Sequence, residues 1–158
     1  MISSTPFWEA KSFHEMTLEE WESLCDGCAK CCLFKIEDAE TGAINFTDIA
    51  CRLLDVHICR CKVYEHRSEI VKDCTHLTPE MVHQVSWLPE SCAYRRLLEG
   101  RGLARWHPLI SGNRDSVHQA NVSILGPCRF ALSVVASPWK GDMVPEALAD
   151  GEAISGLM

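Results

Sequence analysis

No apolar run in this 158-residue chain approaches the roughly 20 residues that a helix needs to cross a bilayer, so no membrane span is expected. The opening stretch, Met1-Ile2-Ser3-Ser4-Thr5-Pro6-Phe7-Trp8, has neither the basic nor the apolar segment of an export signal. The expected location is therefore the cytoplasm, where glutathione keeps thiols reduced, and a secreted disulfide framework is disfavoured. Basic excess is missing as well. The formal net charge is -7, the wrong sign for a general nucleic-acid-binding surface. A local cluster at Arg95, Arg96, Arg101 and Arg105 reads as a solvated helix face. The chain has no P-loop, no G-x-G-x-x-G, no G-x-S-x-G and no H-E-x-x-H, which leaves nucleotide binding and the common hydrolytic sites without a motif. A thioredoxin-like reading would need a βαβ pattern around the cysteines, and none is found. The histidines at 57, 66, 76, 83 and 107 show no H-x3-H pairing; each reads as surface or packing, with His76, two residues from Cys74, the best ligand candidate among them.

Cysteine is abundant. Of ten cysteines, nine lie between residues 25 and 92, at 25, 28, 31, 32, 51, 59, 61, 74 and 92. Thiolates are soft anionic ligands that suit zinc and iron–sulfur clusters, and a C-x-x-C loop lets two sulfurs reach one centre from a single turn of chain. The densest stretch is Cys25-Asp26-Gly27-Cys28-Ala29-Lys30-Cys31-Cys32. An unbroken helix through it would put Cys25, Cys28 and Cys32 on one stripe. A turn at Asp26-Gly27 would make a knuckle of Cys25 and Cys28, with Cys31 joining from the next turn. Adjacent Cys31 and Cys32 cannot both face one metal, so one of them is expected to pack. Cys51 is balanced between packing and ligation, and Cys128, among apolar neighbours, reads as packed.

The flanking pattern is mostly helical. Phe7, Trp8 and Phe13 look like anchors onto a core. Thr17-Leu18-Glu19-Glu20 is a capping box, and the helix after it should turn Leu18, Trp21, Leu24 and Cys25 inward. Thr41-Gly42 marks a turn and Ala43 to Phe46 a short strand, after which Thr47 caps a helical piece over residues 48–54. Alternation over residues 56–64 predicts a strand with Cys59 and Cys61 on one side. Thr78-Pro79 should start a helix, and another is expected from about Glu90 to Glu99, stopped by Gly100 or Gly102. Residues 106–109 read as an apolar loop and 110–113 as a turn. The expected fold is a small irregular single domain, mainly α with short strands and long loops, organised around a cysteine metal site. It should occupy residues 1–122, followed by a divergent, loosely docked or disordered tail over 123–158.

Several blocks occur together: Pro6-Phe7-Trp8, Trp21 to Cys32, Phe46-Thr47 with Ala50-Cys51-Arg52, Cys59-Arg60-Cys61 with Tyr64-Glu65, Asp73-Cys74, Trp87-Leu88-Pro89 with Ser91-Cys92-Ala93-Tyr94-Arg95, and Trp106-His107-Pro108-Leu109. In these blocks the chain resembles the bacterial YcgN-like proteins, within the CxxCxxCC zinc- or iron-chelating family, over about residues 6 to 120. The resemblance implies a small metal-chelating protein and supplies no catalytic residue. The family's cysteine positions fall here on Cys25, Cys28, Cys31, Cys32, Cys51, Cys59, Cys61, Cys74 and Cys92. Past residue 122 the chain departs from the family, and Cys128 lies outside its pattern.

The candidate metal ligands are Cys25, Cys28, Cys31, Cys32, Cys59, Cys61, Cys74 and Cys92, with at least four sulfurs expected to converge on one point. Three closely spaced sulfurs favour an iron–sulfur cluster; two knuckle-like groups favour zinc. The expected function is metal binding, as an electron-transfer or iron-handling accessory or as a metal-stapled module with a protein partner. An enzyme that uses the centre on a substrate is the alternative.

Overall fold

Thr17 opens a helix as its sequence dictates. In the computed structural model, which describes residues 4–72, 74–125, 129–130 and 154–157, helix α2 spans Leu18–Ser23. Its first turn is closed by Glu20 N–H donating to Thr17 Oγ1 (3.2 Å) and Thr17 N–H donating to the Glu20 carboxylate (2.8 Å). Cys128 and the run 131–136 lie outside the described residues.

The chain divides into two compact units, Met1–Asp26 with Leu77–Val117 and Gly27–His76 with His118–Met158. In the first, α1 (Phe7–Ala10) and α2 are followed after Leu77 by α4 (Ala93–Leu98), α5 (Pro108–Ser111) and α6 (Ser116–Gln119, of which 116 and 117 fall in this unit). Trp21, Leu24, Val82, Leu88 and Tyr94 form the core, with Phe7, Trp8, Phe13 and Trp87 packed against it, as the anchor reading anticipated. Burying a large apolar side chain here is worth about 2 kcal/mol. Trp21 also satisfies its polar edge: its indole N–H donates to Leu77 O (3.0 Å), and Tyr94 Oη donates to Trp21 O (2.8 Å). Leu18 points outward, 76% exposed, so the inner face of α2 is narrower than its spacing suggested.

Three of the four clustered arginines close the end of α4. Arg95 reaches Glu99 and Leu88 O, Arg96 reaches Gly102 O, and Arg101 reaches Glu90 O and Glu99. Gly100, at φ +72°, provides the left-handed stop after the helix. The helix expected at Thr78-Pro79 is a single 3-10 turn, Met81–His83. Conversely, the expected loop at 106–113 contains α5. Pro108 sits at its start, His107 accepts from Leu109 N–H, and Gly112 takes a left-handed conformation at its end.

The second unit is where helix was over-predicted. Strands β1 (Leu33–Glu37) and β2 (Ile44–Ala50) form an antiparallel hairpin across the Thr41-Gly42 turn, within a sheet ordered β5-β2-β1-β6. Here β5 is Arg129–Phe130, parallel to β2, and β6 is Ile154–Leu157. The helical piece expected over 48–54 is therefore strand up to Ala50. Ile44, Phe46, Thr47 and Ile49 are β-branched or aromatic residues that fit a pleated surface. Thr47 caps nothing; its hydroxyl donates across the hairpin to Phe34 O (2.8 Å). Nor do residues 56–64 form one strand. Two-residue strands β3 (Leu54–Asp55) and β4 (Arg60–Cys61) pair around a tight turn, with Cys59 at φ +54°. Cys59 and Cys61 thus do not share one strand face. Helix α3 (Arg67–Ile70) follows. The described fold is a mixture of six short helices and two small sheets rather than mainly α.

His107 generates a pH prediction for the first unit. Its Nε2–H donates to Leu24 O (2.8 Å) and its Nδ1 accepts from Leu109 N–H (3.0 Å), which requires the neutral ring. Burial lowers its pKa below the ordinary 6.5, against the hydrogen bond to Leu24 O, which raises it. The unfolded chain takes up the proton first as pH falls, so this contribution is complete above about pH 6.5 and is lost below it. Denaturant midpoints from tryptophan fluorescence should therefore fall between pH 7 and 5, and His107→Gln should flatten that fall. An equally steep fall in the variant would exclude His107 as its cause.

Candidate metal centre

The break in the cysteine-dense stretch occurs at Gly27, with φ +80°, a conformation that costs glycine nothing and a side chain much more. Helix α2 has already ended, so of the two geometries open from spacing, the turn is the one that forms. Past it, Ala29 is also left-handed, and Lys30–Cys32 make one 3-10 turn, closed by Cys32 N–H donating to Ala29 O (2.9 Å). The chain then enters β1.

The hairpin register brings a remote cysteine to this turn. Leu33 pairs with Ala50, so Cys32 and Cys51 lie opposite one another at the open end, and Cys51 N–H donates to Cys32 O (2.8 Å). Directly after it, Leu54 N–H donates to Cys51 O (3.0 Å) and Leu54 pairs with Cys61, so the β3–β4 hairpin returns Cys61 to the same region. Arg52 reaches Ile70 O at the end of α3 (3.4 Å), the helix that leads into Cys74, and Cys74 N–H donates to Val71 O (3.1 Å).

The electrostatics record the crowding. Burial raises the Cys74 thiol pKa, Arg67 opposes this, and Cys51, Cys61 and Cys31 raise it further, so thiols from three other segments lie within electrostatic reach of Cys74. The Cys32 thiol is pushed up most by its hydrogen bond with Cys31, then by burial and by Cys31 and Cys51. Cys32 also packs on the apolar cluster of Leu33, Ala50 and Leu54. It is thus the packed member of the adjacent pair.

A buried cation lies in the same region. Lys35 is 3% exposed; its Nζ donates to Cys31 O (3.0 Å) and Leu33 O (2.7 Å) and lies 5.3 Å from the centre of the Phe46 ring. Burial lowers its pKa to about 8, while Cys31, Cys32 and Cys28 hold it up, so it is mostly charged at neutral pH.

The other candidates are not among the thiols that act on Cys74. Cys28 is buried, its carbonyl accepting from Ile124 N–H (3.0 Å). Cys59 is part of the apolar cluster with Val56 and Ile124; burial raises its pKa, and hydrogen bonds from Ser123 and Ile124 offset this in part. Cys92 packs on the aromatic core of the first unit, and Cys25 is exposed just after α2. His76 is exposed, with its ring nitrogens engaged by Ser68 Oγ (3.0 Å) and Arg67 (3.5 Å). Spacing alone did not single out Cys51 or Lys35; for Cys51 the only signal was its place beside Arg52 in a family block. None of the nine described cysteines is in a disulfide.

The expected convergence of sulfurs is not preformed: among the described residues no three His, Cys, Asp or Glu side chains stand at metal-holding distance. Thiols repel as anions and, as S–H groups, hydrogen-bond to neighbours such as the Cys31–Cys32 pair rather than aim at a common point. The donor chemistry nevertheless fits a thiophilic cation. Thiol-rich surroundings suit zinc or an iron–sulfur cluster rather than calcium or magnesium.

Comparison with known proteins bears on this site. A family model named CxxCxxCC and described as "Putative zinc- or iron-chelating domain" matches residues 24–93. A UPF0260 protein of Parvibaculum lavamentivorans is 57% identical over 125 residues, 79% of this chain and 82% of the relative. One from Marinobacter nauticus is 50% identical over 144 residues, 91% of this chain and 97% of the relative. This chain belongs to the UPF0260 family. The resemblance read from its cysteine and tryptophan–proline blocks is thereby shown. No solved structure matches. Among the described residues no helix is long and apolar enough to cross a membrane. The matched stretch 24–93 contains Cys74 and the three thiols that act on it, Cys31, Cys51 and Cys61.

The geometry orders the thiols by access. In the metal-free chain, iodoacetamide followed by mass spectrometry should label exposed Cys25 first and the buried Cys28, Cys51 and Cys59 last. Rapid labelling of Cys51 would contradict the hairpin register that buries it.

Proposed function

We propose that this UPF0260 protein is a metal-binding protein whose Gly27–His76 segment holds zinc or an iron–sulfur cluster through Cys31, Cys51, Cys61 and Cys74. The observation that carries the reading is that Cys31, Cys51 and Cys61, each from a different segment, all act electrostatically on Cys74. Both centres take about four such ligands. Cys32 lines the site and shapes its backbone, and Cys59 supports the core beneath it. Cys25 and Cys92 keep their place as candidates on spacing alone. With the metal bound, the four thiols are thiolates; the cation supplies the attraction that draws them together and offsets their repulsion. Binding energy of that kind is folding energy for a small domain, on the order of 10 kcal/mol in zinc fingers.

A cytoplasmic setting follows from the reading, because reduced thiols are what such a centre requires. The role that fits is electron transfer or iron handling if the centre is a cluster, and a metal-stapled module for a protein partner if it is zinc.

Purification without air, followed by metal analysis and a visible spectrum, tests the proposal. Brown protein with iron and sulfide identifies a cluster, and colourless protein with stoichiometric zinc identifies a zinc site. Protein free of both rules the reading out. Cys51→Ser and Cys74→Ser should each lower the metal content at least severalfold, whereas Cys59→Ser should keep the metal and lose about 1 kcal/mol of stability. Full metal retention in Cys51→Ser would remove Cys51 from the ligand set.

A further inference from the structure

We propose that Cys32 and Cys51 are a redox-responsive pair: in the metal-free chain a small peroxide joins their sulfurs in a reversible disulfide that locks the β1–β2 hairpin in register. The inference concerns the chain without metal and stands whether or not a centre forms at the neighbouring thiols.

Backbone geometry carries it. In the ladder Leu33 pairs with Ala50, so one step outward along both strands brings Cys32 opposite Cys51. Cys51 N–H donates to Cys32 O (2.8 Å), which marks the two as facing residues of the hydrogen-bonded type. Cα atoms in such a pair lie about 5.5 Å apart, inside the range of about 4.4–6.8 Å that a disulfide spans. Directly opposed residues turn their side chains to the same face of the pair. Both backbones are held: Cys32 N–H donates to Ala29 O (2.9 Å), and Cys51 O accepts from Leu54 N–H (3.0 Å). The influence of Cys51 on the Cys32 thiol agrees with that proximity. Neighbouring thiols are worse partners. Cys31 is joined to Cys32 by one peptide, and consecutive Cα atoms across a trans peptide stand about 3.8 Å apart, too close for an ordinary disulfide. Cys61 faces Leu54 in its ladder, and Cys59 is packed with Val56 and Ile124.

Two thiols and one peroxide give one disulfide and two waters. Peroxide first transfers an oxygen to the sulfur of Cys32, the half-buried and more accessible member, giving a sulfenic acid and one water. The Cys51 sulfur then attacks. The S–O bond breaks, the S–S bond forms, and the hydroxyl leaves with the Cys51 proton as the second water. The two sulfurs lose two electrons and the peroxide oxygens gain them. The hydrogen bond with Cys31 and burial keep the Cys32 thiol protonated, so the pair responds to sustained oxidant rather than to traces. The bond closes the loop from residue 32 to residue 51 across the Thr41-Gly42 turn, which restricts the unfolded chain and fixes Leu33 against Ala50. Disulfides in a reducing compartment are characteristically transient and redox-sensing, and a dithiol reductant returns the two thiols.

The test uses the full-length chain, stripped of metal with a chelator, reduced and desalted under argon. It is treated with a molar excess of hydrogen peroxide, remaining thiols are capped with N-ethylmaleimide, and the peptides are mapped by mass spectrometry without reduction. The Cys32–Cys51 crosslink should be the main disulfide of the folded chain, and dithiothreitol should remove it. The oxidised chain should unfold at a higher denaturant concentration by far-ultraviolet circular dichroism and return to the reduced midpoint with dithiothreitol. Cys32→Ser and Cys51→Ser should each abolish that shift, whereas Cys25→Ser, at an exposed position just after α2, should keep it. The wild-type map decides even where a serine variant fails to fold. Recovery of Cys32 and Cys51 as capped thiols or sulfinic acids, with no crosslink between them, overturns the proposal. So does an equal scatter of pairings in the folded chain and in chain oxidised in urea, because the register would then not direct the bond.

Discussion

The antiparallel register of Leu33–Glu37 against Ile44–Ala50 is the constraint on which the second unit depends. It pairs Leu33 with Ala50 and joins Cys51 to Cys32 through a backbone hydrogen bond of 2.8 Å. A slip of one residue would invert the faces of the strand, expose Leu33 and carry Lys35 out of the interior. The same register places Lys35 opposite Phe46, and the short β3–β4 hairpin then follows directly from Cys51. Backbone pairing therefore ties Cys32, Cys51 and Cys61 to one end of the hairpin.

This arrangement accommodates two opposing forces. Beyond hydrogen bonding and burial, neighbouring thiols raise the pKa of Cys32 and of Cys74, which is the electrostatic cost of gathering potential anions. Buried Lys35 and nearby Arg67 lower that cost locally, and a divalent metal would reverse it. The apolar cluster of Leu33, Ala50, Leu54, Val56, Cys59 and Ile124 supplies the scaffold. Cys59 belongs to that scaffold, although a thiol two positions from Cys61 invites reading the pair as ligands. The two cysteines differ because the chain turns between the short strands, with Cys59 left-handed at the turn and Cys61 in the ladder.

Features that depend on neighbouring residues were legible in the sequence. The Thr17 capping box, the aromatic anchors and the Thr41-Gly42 turn are where local chemistry puts them, whereas the break at Gly27 and the stop at Gly100 were each one of two alternatives that the sequence left open. The residues around Thr47 were misread, because a threonine before an acidic residue resembles an N-cap. Its hydroxyl instead bonds to Phe34 O on the partner strand, an alternative that exists only once the strands have paired. The one-turn helix at Pro108–Ser111 was missed because its cap is a histidine ring, which becomes a good acceptor only when Leu24 O holds it in one tautomer.

The sequence by itself determined that this protein is cysteine-rich, lacks a long apolar helix among its described residues, carries thiol chemistry suited to zinc or iron–sulfur, and belongs with the UPF0260 proteins. Those properties reside in residue type and spacing along the chain. Tertiary structure decided which thiols lie near one another. It set Cys51 beside Cys32, brought Cys31, Cys51 and Cys61 within electrostatic reach of Cys74, placed Cys59 in an apolar core and buried Lys35 beneath the turn. Spacing fixes how near two residues must be, but only strand register and packing choose among the residues that are far apart in the chain, because those pairings are selected by burial and cross-strand hydrogen bonds rather than by chain length.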